Sequence, residues 1–311
     1  TPTAQNAQTE AICRALMGQT GQLEFYDNRP LSQQPTAGGL GIPITFGDPN
    51  LKEEQADTWT IGVGMDILED WRLTVDWYQI EIEQMIATEG LDATYQRCLD
   101  MQFNPTGNVN SPVCQQIKRN PNNGGAATVD RSFTNEGYAK FSGVDLSVNW
   151  SHQLENGGGL NLNLSSNMPI EEITQDRSVL NPIDHAGYNS CGLGMQCQNY
   201  DYRLFTSVGY NRGSWGFNVR NQYWPELKNN ACRTNTSSQQ CVYNSLPNYS
   251  LFSASTNYRF ADKYNLSVGI ENLLDEDPPC LNQNPTATPF ATGCTHTGDG
   301  STYDPLGRRF Y

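Results

Sequence analysis

Apolar and polar residues alternate along most of this chain with a period of two, the spacing of a β-strand with one apolar and one polar face. Between Asp57 and Ile67, Trp59, Ile61, Val63, Met65 and Ile67 fall on one face, and Thr60, Gly62, Gly64 and Asp66 on the other. After a tight Leu68-Glu69-Asp70 turn, Leu73, Val75 and Trp77 continue the pattern, and the strand is expected to run to about Ile86. Its apolar parity shifts around Tyr78, which predicts a bulge or emergence from the apolar layer. Val144, Leu146, Val148 and Trp150 pair as a hairpin with Leu160, Leu162 and Leu164 across Glu155 to Gly158. Leu204 to Tyr210 and Trp215 to Tyr223 flank a short turn, as do Phe252 to Phe260 and Tyr264 to Ile270, and a last strand is expected near Tyr303.

The connections between these nine strands sort by length. Those near 69, 156, 212 and 262 are short, those at about 87–127, 169–201, 225–247 and 272–302 are long, and the two kinds alternate. Such alternation is the asymmetry of an outer-membrane barrel, with short periplasmic turns and long extracellular loops. A soluble sandwich has no reason to sort its connections this way. The expected fold is all-β, an antiparallel transmembrane β-barrel, with residues 1–56 as a long extracellular loop region and 57–311 as barrel strands.

The mean hydropathy of −0.60 is that of a soluble protein. It does not count against a barrel, whose strands hide apolar surface in every second residue. No segment approaches the ~20 consecutive apolar residues of a transmembrane helix, and Thr1 does not open a signal peptide. With 19 Lys+Arg against 33 Asp+Glu the net charge is −14, which repels polyanions and excludes general nucleic-acid binding.

Eight of the nine cysteines fall into four consecutive pairs, each inside a Gly/Pro/Asn-rich long loop. The expected disulfides are Cys98–Cys114, Cys191–Cys197, Cys232–Cys241 and Cys280–Cys294, which imply an oxidising compartment. Cys13 is left over and is expected to pair with a cysteine upstream of Thr1. A metal site is the rival reading, because His185 lies near Cys191 and His296 near Cys294. The spacings contain neither a C-x2-C knuckle nor an H-x3-H partner. Of the acidic clusters Glu53-Glu54, Glu171-Glu172 and Asp275-Glu276-Asp277, the last is a candidate structural calcium site, although no twelve-residue calcium loop is present. Neither a G-x-S-x-G elbow nor a Walker loop occurs, the three histidines assemble no triad, and an enzyme is not expected.

Trp59, Trp77, Trp150, Trp215, Tyr223 and Tyr249 cluster near strand ends, as rings at a membrane interface do, although strand propensity alone also enriches them. Tyr95, Phe103, Tyr188, Tyr200, Trp224, Tyr243 and Phe290 lie in or next to the loops. Of these, Tyr188, Tyr200, Trp224 and Tyr243 are the candidate ligand-stacking residues, against the alternative that they pack the loops together.

Several segments resemble the C-terminal barrel of TonB-dependent receptors. Residues 47–63 (GDPNLKEEQADTWTIGV) are similar to the family's "NPNLKPE" loop feeding a strand, with Glu53 in place of the usual proline. Residues 140–150 (KFSGVDLSVNW) resemble its Gly-plus-acid strand. Residues 271–279 (ENLLDEDPP) and 303–311 (YDPLGRRFY) resemble the penultimate-strand exit and the start of the last strand. The resemblance implies the C-terminal nine strands of a barrel of roughly 22, whose lumen holds a plug. Neither the plug nor an energy-coupling segment is recognisable in residues 1–311. An open sheet of nine strands leaves two unpaired edges, so these residues are expected to be part of a longer chain or to need further strands.

By the same resemblance the function is import of a scarce nutrient across the bacterial outer membrane, by ligand capture in loops and plug gating driven through the TonB energy-coupling protein. The acidic exterior disfavours bulk anionic ligands, and the resemblance leans towards oligosaccharides. Lipopolysaccharide and outer-membrane lipid are expected partners. A passive porin, a surface adhesin or assembly protein, and a siderophore receptor are the alternatives.

Overall fold

The computed structural model describes residues 4–22, 41–120, 124–190, 198–233, 244–261, 263–279, 303 and 306–311. Its largest sheet is built on nine strands in sequence order: β1 (Gln55–Leu68), β2 (Trp71–Ala87), β3 (Thr134–Gln153), β4 (Gly159–Gln175), β5 (Arg203–Arg212), β6 (Trp215–Trp224), β7 (Tyr249–Phe260), β8 (Tyr264–Glu271) and β9 (Arg309–Phe310). Each strand is hydrogen-bonded to the next, and a two-residue strand, Ile183–Asp184, pairs with β4 off this path. Among the described residues the sheet is not closed, with β1 and β9 at its edges.

The strands match those expected from the alternation, with two exceptions. The last begins at Arg309, because Tyr303 is buried in a side-chain cluster instead of standing in the sheet. The irregular residue within β2 is Gln84, with φ 53°, six positions beyond Tyr78. β2, β3 and β4 have 17, 20 and 17 residues, well beyond the ~9–11 that cross a bilayer.

Pairing register sorts the side chains into two faces. Leu162, Val208, Val219, Ala254 and Ile270 stand opposite one another across β4 to β8, and Leu160, Tyr210, Phe217, Thr256 and Val268 form the next row. One residue along, Asn163, Ser207, Arg220 and Ser253 are in register, as are Asn161, Gly209, Asn218, Ser255 and Gly269. The first face is apolar and yet open: Trp59 and Ile61 are each 69% exposed, and Val208, Val219, Val268 and Phe310 are exposed as well. A soluble protein rarely leaves so large an apolar surface uncovered, whereas a barrel wall turns it to lipid.

Glycines on the polar face admit large neighbours. A Cβ at Gly62 would collide with the Asp76 carboxylate, and one at Gly143 with the Tyr78 hydroxyl. The Gly62 of the sequence pattern therefore marks close approach between strands, whereas a Cβ at Gly64 would make only ordinary contact with Thr74.

The chain divides into two compact units, residues 1–55, 83–138 and 175–181, and residues 56–82, 139–174 and 182–311. The first unit holds helices where loops were expected: Ala4–Gln22, interrupted at Gly18 (φ 68°), Leu91–Leu99 and Pro112–Gln115. Local chemistry explains the third, whose N-cap Ser111 accepts a hydrogen bond from the Cys114 N–H at 3.4 Å and whose N1 is a proline. The second carries Asp92 in its first turn and Arg97 in its last.

Three short strands complete this unit. Ile42–Phe46 runs parallel to Ala126–Ser132, and Ile117–Arg119 lies antiparallel on the other side. The expected Cys98–Cys114 disulfide forms, and both residues are fully buried with Ile12, Tyr95, Ile117 and Val129. Glu89, almost completely buried, receives both Arg97 (2.8 Å) and Arg177 (3.1 Å), and Arg177 also reaches Glu136 at 3.1 Å.

Cys13 is half-buried on the first helix. Cys232 is disulfide-bonded, and its expected partner Cys241 lies outside the described residues, as do Cys191, Cys197, Cys280 and Cys294. In the second unit, Tyr188–Asn189, Leu227–Asn229 and Ser245–Leu246 form a small three-stranded sheet.

Two predictions follow from register and from the disulfide. Val219→Arg on the apolar face is expected to cost up to about 2–4 kcal/mol, whereas Asn218→Arg beside it on the polar face is tolerated. Heat-modifiable electrophoretic mobility of the membrane-extracted protein checks the contrast. Replacing Cys98 and Cys114 by serine is expected to remove about 2–4 kcal/mol from the first unit, read as faster proteolysis within residues 88–120.

Candidate functional site

A cleft of about 580 Å³ opens on the polar face of the sheet. Five adjacent strands supply its charged and aromatic groups: Asp76 from β2, Asp145 from β3, Asn167 from β4, Arg203 and Phe205 from β5, and Gln222 and Trp224 from β6. Alternation aims these side chains to one side of the sheet, and register makes them neighbours. Arg203 stands opposite Asn167, and Phe205 opposite both Ser165 and Gln222. Asn167 Nδ2 donates to Asp145 Oδ1 at 2.7 Å and to the Tyr78 hydroxyl at 3.2 Å, so the carboxylate is held in place across three strands.

Two carboxylates, a guanidinium and two amides offer donors and acceptors of both signs, with two rings as apolar surfaces. Such a set suits a ligand rich in hydroxyls. No nucleophile paired with a base is among these groups.

Of the ligand-stacking candidates, Trp224 lines this cleft. Its other contacts are to Tyr249 and Tyr303, at ring-centroid distances of 5.4 and 6.0 Å, in a cluster with Tyr200, Leu227 and Leu246. Tyr200 is 1% exposed and hydrogen-bonded to the Tyr303 hydroxyl, so burial leaves it no open face for a ligand; it packs the loops, the alternative weighed above. Tyr188 is half-buried, with Arg233 and Lys228 over its ring at 4.6 and 5.4 Å. Tyr95 is buried in the first unit's core, and Tyr243 and Phe290 lie outside the described residues.

The acidic clusters serve local structure. Glu54 Oε1 accepts from the Ile86 N–H at 2.7 Å, and Glu171 pairs with Lys140 at 2.7 Å. Asp275, in the left-handed region (φ 58°), accepts from the Arg308 N–H at 2.8 Å. Buried Asn272 closes the same turn by bonding the backbone N–H and C=O of Glu276. Among the described residues no three Asp, Glu, His or Cys side chains converge as a metal site.

Sequence reasoning placed Asp145, Asn163 and Ser165 on the polar face but singled out no site there. Arg203 and Phe205 escaped attention because they flank a strand boundary. Only register brings them against Asp145 and Gln222.

A second polar cluster lies at the far end of β4, beyond Ile170. There Ile173 and Thr174 pair with Ile183–Asp184. His185 is buried, with one ring nitrogen 2.8 Å from Thr174 Oγ1 and the other 2.7 Å from Ser190 Oγ, and its backbone N–H donates to the Glu172 carbonyl. Burial pushes the Glu172 carboxyl from its ordinary 4.5 up to about 7, with Arg203 opposing and Asp184 reinforcing the shift.

A folded-state value above the unfolded one means that this contribution to stability is full below pH 4.5 and is lost as pH rises through about 7. Glu172→Gln is therefore expected to flatten the pH dependence of amide exchange in residues 182–190 across that window. An unchanged profile would show that another group titrates there.

An open antiparallel sheet with an apolar lipid-compatible face, a polar face carrying a binding cleft, and alternating short and long connections defines the wall of a membrane β-barrel. The family model "TonB dependent receptor-like, beta-barrel" matches residues 18–273, and the chain belongs to that family.

Among solved structures it is similar to the ferric enterobactin receptor of Pseudomonas aeruginosa, solved as a mutant in complex with enterobactin, at 13% identity and a TM-score of 0.53 over 86% of this chain and 32% of that one. It is also similar to the siderophore receptor PirA of Acinetobacter baumannii, at 12% identity and a TM-score of 0.50 over 86% of this chain and 32% of that one. The chain thus spans about a third of the length of these structures, and at such identities the likeness concerns the fold. Comparison with curated proteins finds no match.

Proposed function

We propose that this chain forms part of the wall and outer loops of an outer-membrane transporter that imports a hydroxyl-rich nutrient, an oligosaccharide, with energy supplied through a TonB protein acting on a plug. The cleft on the polar face carries this reading. Its paired donors and acceptors around Phe205 and Trp224 match the alternating hydroxyls and C–H faces of sugar rings. Membership of the TonB-dependent receptor family supports active transport over a passive porin or an adhesin. In this reading the short connections face the periplasm and the long ones the exterior, where lipopolysaccharide is the neighbouring lipid.

A second reading, import of a ferric siderophore, is favoured by the two cations over Tyr188 and by the enterobactin bound to one structural relative.

The test is ligand binding and uptake by the full-length receptor. Trp224→Ala and Asp145→Asn are expected to weaken maltohexaose or a comparable oligosaccharide by about tenfold or more, roughly 1.4 kcal/mol. Dissipating the proton gradient is expected to abolish uptake without affecting binding. Binding of ferric catecholate in place of every oligosaccharide tried would replace the first reading by the second. Uptake that survives loss of the gradient would leave a porin.

A further inference from the structure

Beside the short turn between β1 and β2, the apolar face of the large sheet carries a polar pair. His152 ends the row of alternate residues Val144, Leu146, Val148 and Trp150 on β3. Its Nδ1 lies 2.5 Å from Asp70 Oδ2, and the two side chains are 49% and 40% exposed. The imidazole stacks on Trp150, with ring centroids 6.0 Å apart and planes 5° from parallel, and Trp150 packs on Trp71 at 5.7 Å. The backbone holds Asp70 in place, its carbonyl accepting from the Ser151 N–H at 3.1 Å.

These groups keep hydrogen-bonding capacity that the protein does not use. With a carboxylate on Nδ1, that nitrogen carries the proton of the neutral ring and Nε2 is an acceptor. Among the described residues, neither Nε2 nor the indole N–H of Trp71 or Trp150 has a hydrogen-bond partner. Exposed Glu69 adds a second carboxylate to the turn, while the guanidinium of Arg72 is engaged by Asp66 at 3.0 Å. Negative charge and an imidazole acceptor thus adjoin aromatic faces and two N–H donors. A primary ammonium satisfies the acceptors and lies favourably over indole rings, and a phosphodiester accepts from the N–H groups. Trp rings at the end of a barrel strand sit at the headgroup level of the bilayer, where both functions occur in one molecule.

We propose that this corner of the apolar face binds the headgroup of phosphatidylethanolamine, its ammonium on His152 Nε2 and the turn carboxylates and its phosphate on the two indole N–H groups. The site rests on the reading of this face as the lipid side of a barrel wall with its short connections at the periplasmic leaflet. Phosphatidylcholine has no N–H to offer the acceptors, and phosphatidylglycerol would bring a net negative charge to two carboxylates.

The test is native mass spectrometry of the full-length receptor, extracted in detergent from the outer-membrane fraction and delipidated. Offered phosphatidylethanolamine in equal amount with phosphatidylcholine, and then with phosphatidylglycerol, the wild type is expected to retain the ethanolamine lipid at least about fivefold over either competitor. His152→Phe keeps a ring on Trp150 and removes Nε2, and is expected to bring the ratio over phosphatidylcholine to about one. Asp70→Asn, which removes the charge, is expected to lower it as well and decides the matter should the histidine variant fail to assemble. Equal retention of the two zwitterionic lipids by the wild type, a preference for phosphatidylglycerol, or an unchanged ratio in both variants would overturn the proposal. Protein that fractionates as soluble would instead defeat the barrel-wall reading, and the site with it.

Discussion

Everything in the large sheet depends on the pairing register. Because side chains alternate strictly, a slip of one residue between β5 and β6 would carry Val208 and Val219 to the polar face and Ser207 and Arg220 to the apolar one. In lipid such a slip is prohibitive twice over, since it buries a guanidinium among acyl chains and strips the cleft of its polar groups. The short connections hold this register. Glu69–Asp70 and Gly213–Ser214 are connections of two residues, too tight to absorb an extra one, and Gly213, with a φ of 56°, closes the turn between Arg212 and Trp215.

The first unit is stabilised by a different means. Among its described residues it has a three-stranded sheet of its own and a small core, Ile12, Tyr95, Ile117 and Val129 around the Cys98–Cys114 disulfide. Small cores rarely hold by apolar burial alone, and here a covalent bridge and a buried ionic cluster supplement it. Glu89 is nearly inaccessible, yet two guanidiniums and the Thr94 hydroxyl satisfy it, the condition under which a buried charge is tolerated. An Arg131 bond to the Glu89 carbonyl at 2.7 Å ties the strand Ala126–Ser132 to the same point.

Rigid neighbouring strands hold the sheet cleft, so its groups are preorganised by backbone hydrogen bonds that also bear the fold. The aromatic cluster of Tyr200, Trp224, Tyr249 and Tyr303 shows how loop aromatics are shared between tasks. Most of their surface cements loop to strand, and only Trp224 turns an edge to a cavity.

The period-two alternation and the sorted connections determined, from sequence alone, the nine strands of the large sheet, their order and the identity of the two faces, and the resemblance of segments such as 47–63 and 303–311 pointed to the family. Each is a local or neighbour-to-neighbour property, written in every second residue and in loop length. The cysteine pairing within one long loop was legible for the same reason, since Cys98 and Cys114 are near in the chain. The helices of the first unit were not, because capping by Ser111 and burial against Val129 operate over short polar segments without strong periodicity. The sheet cleft was not either: Asp145, Arg203 and Trp224 are separated by many residues, and their meeting depends on how three successive strand pairs are staggered. The burial of Tyr200 depended likewise on a partner, Tyr303, at the far end of the chain. Alternation tells which way a side chain faces, but only tertiary pairing, by fixing register and bringing distant segments together, decides what it faces.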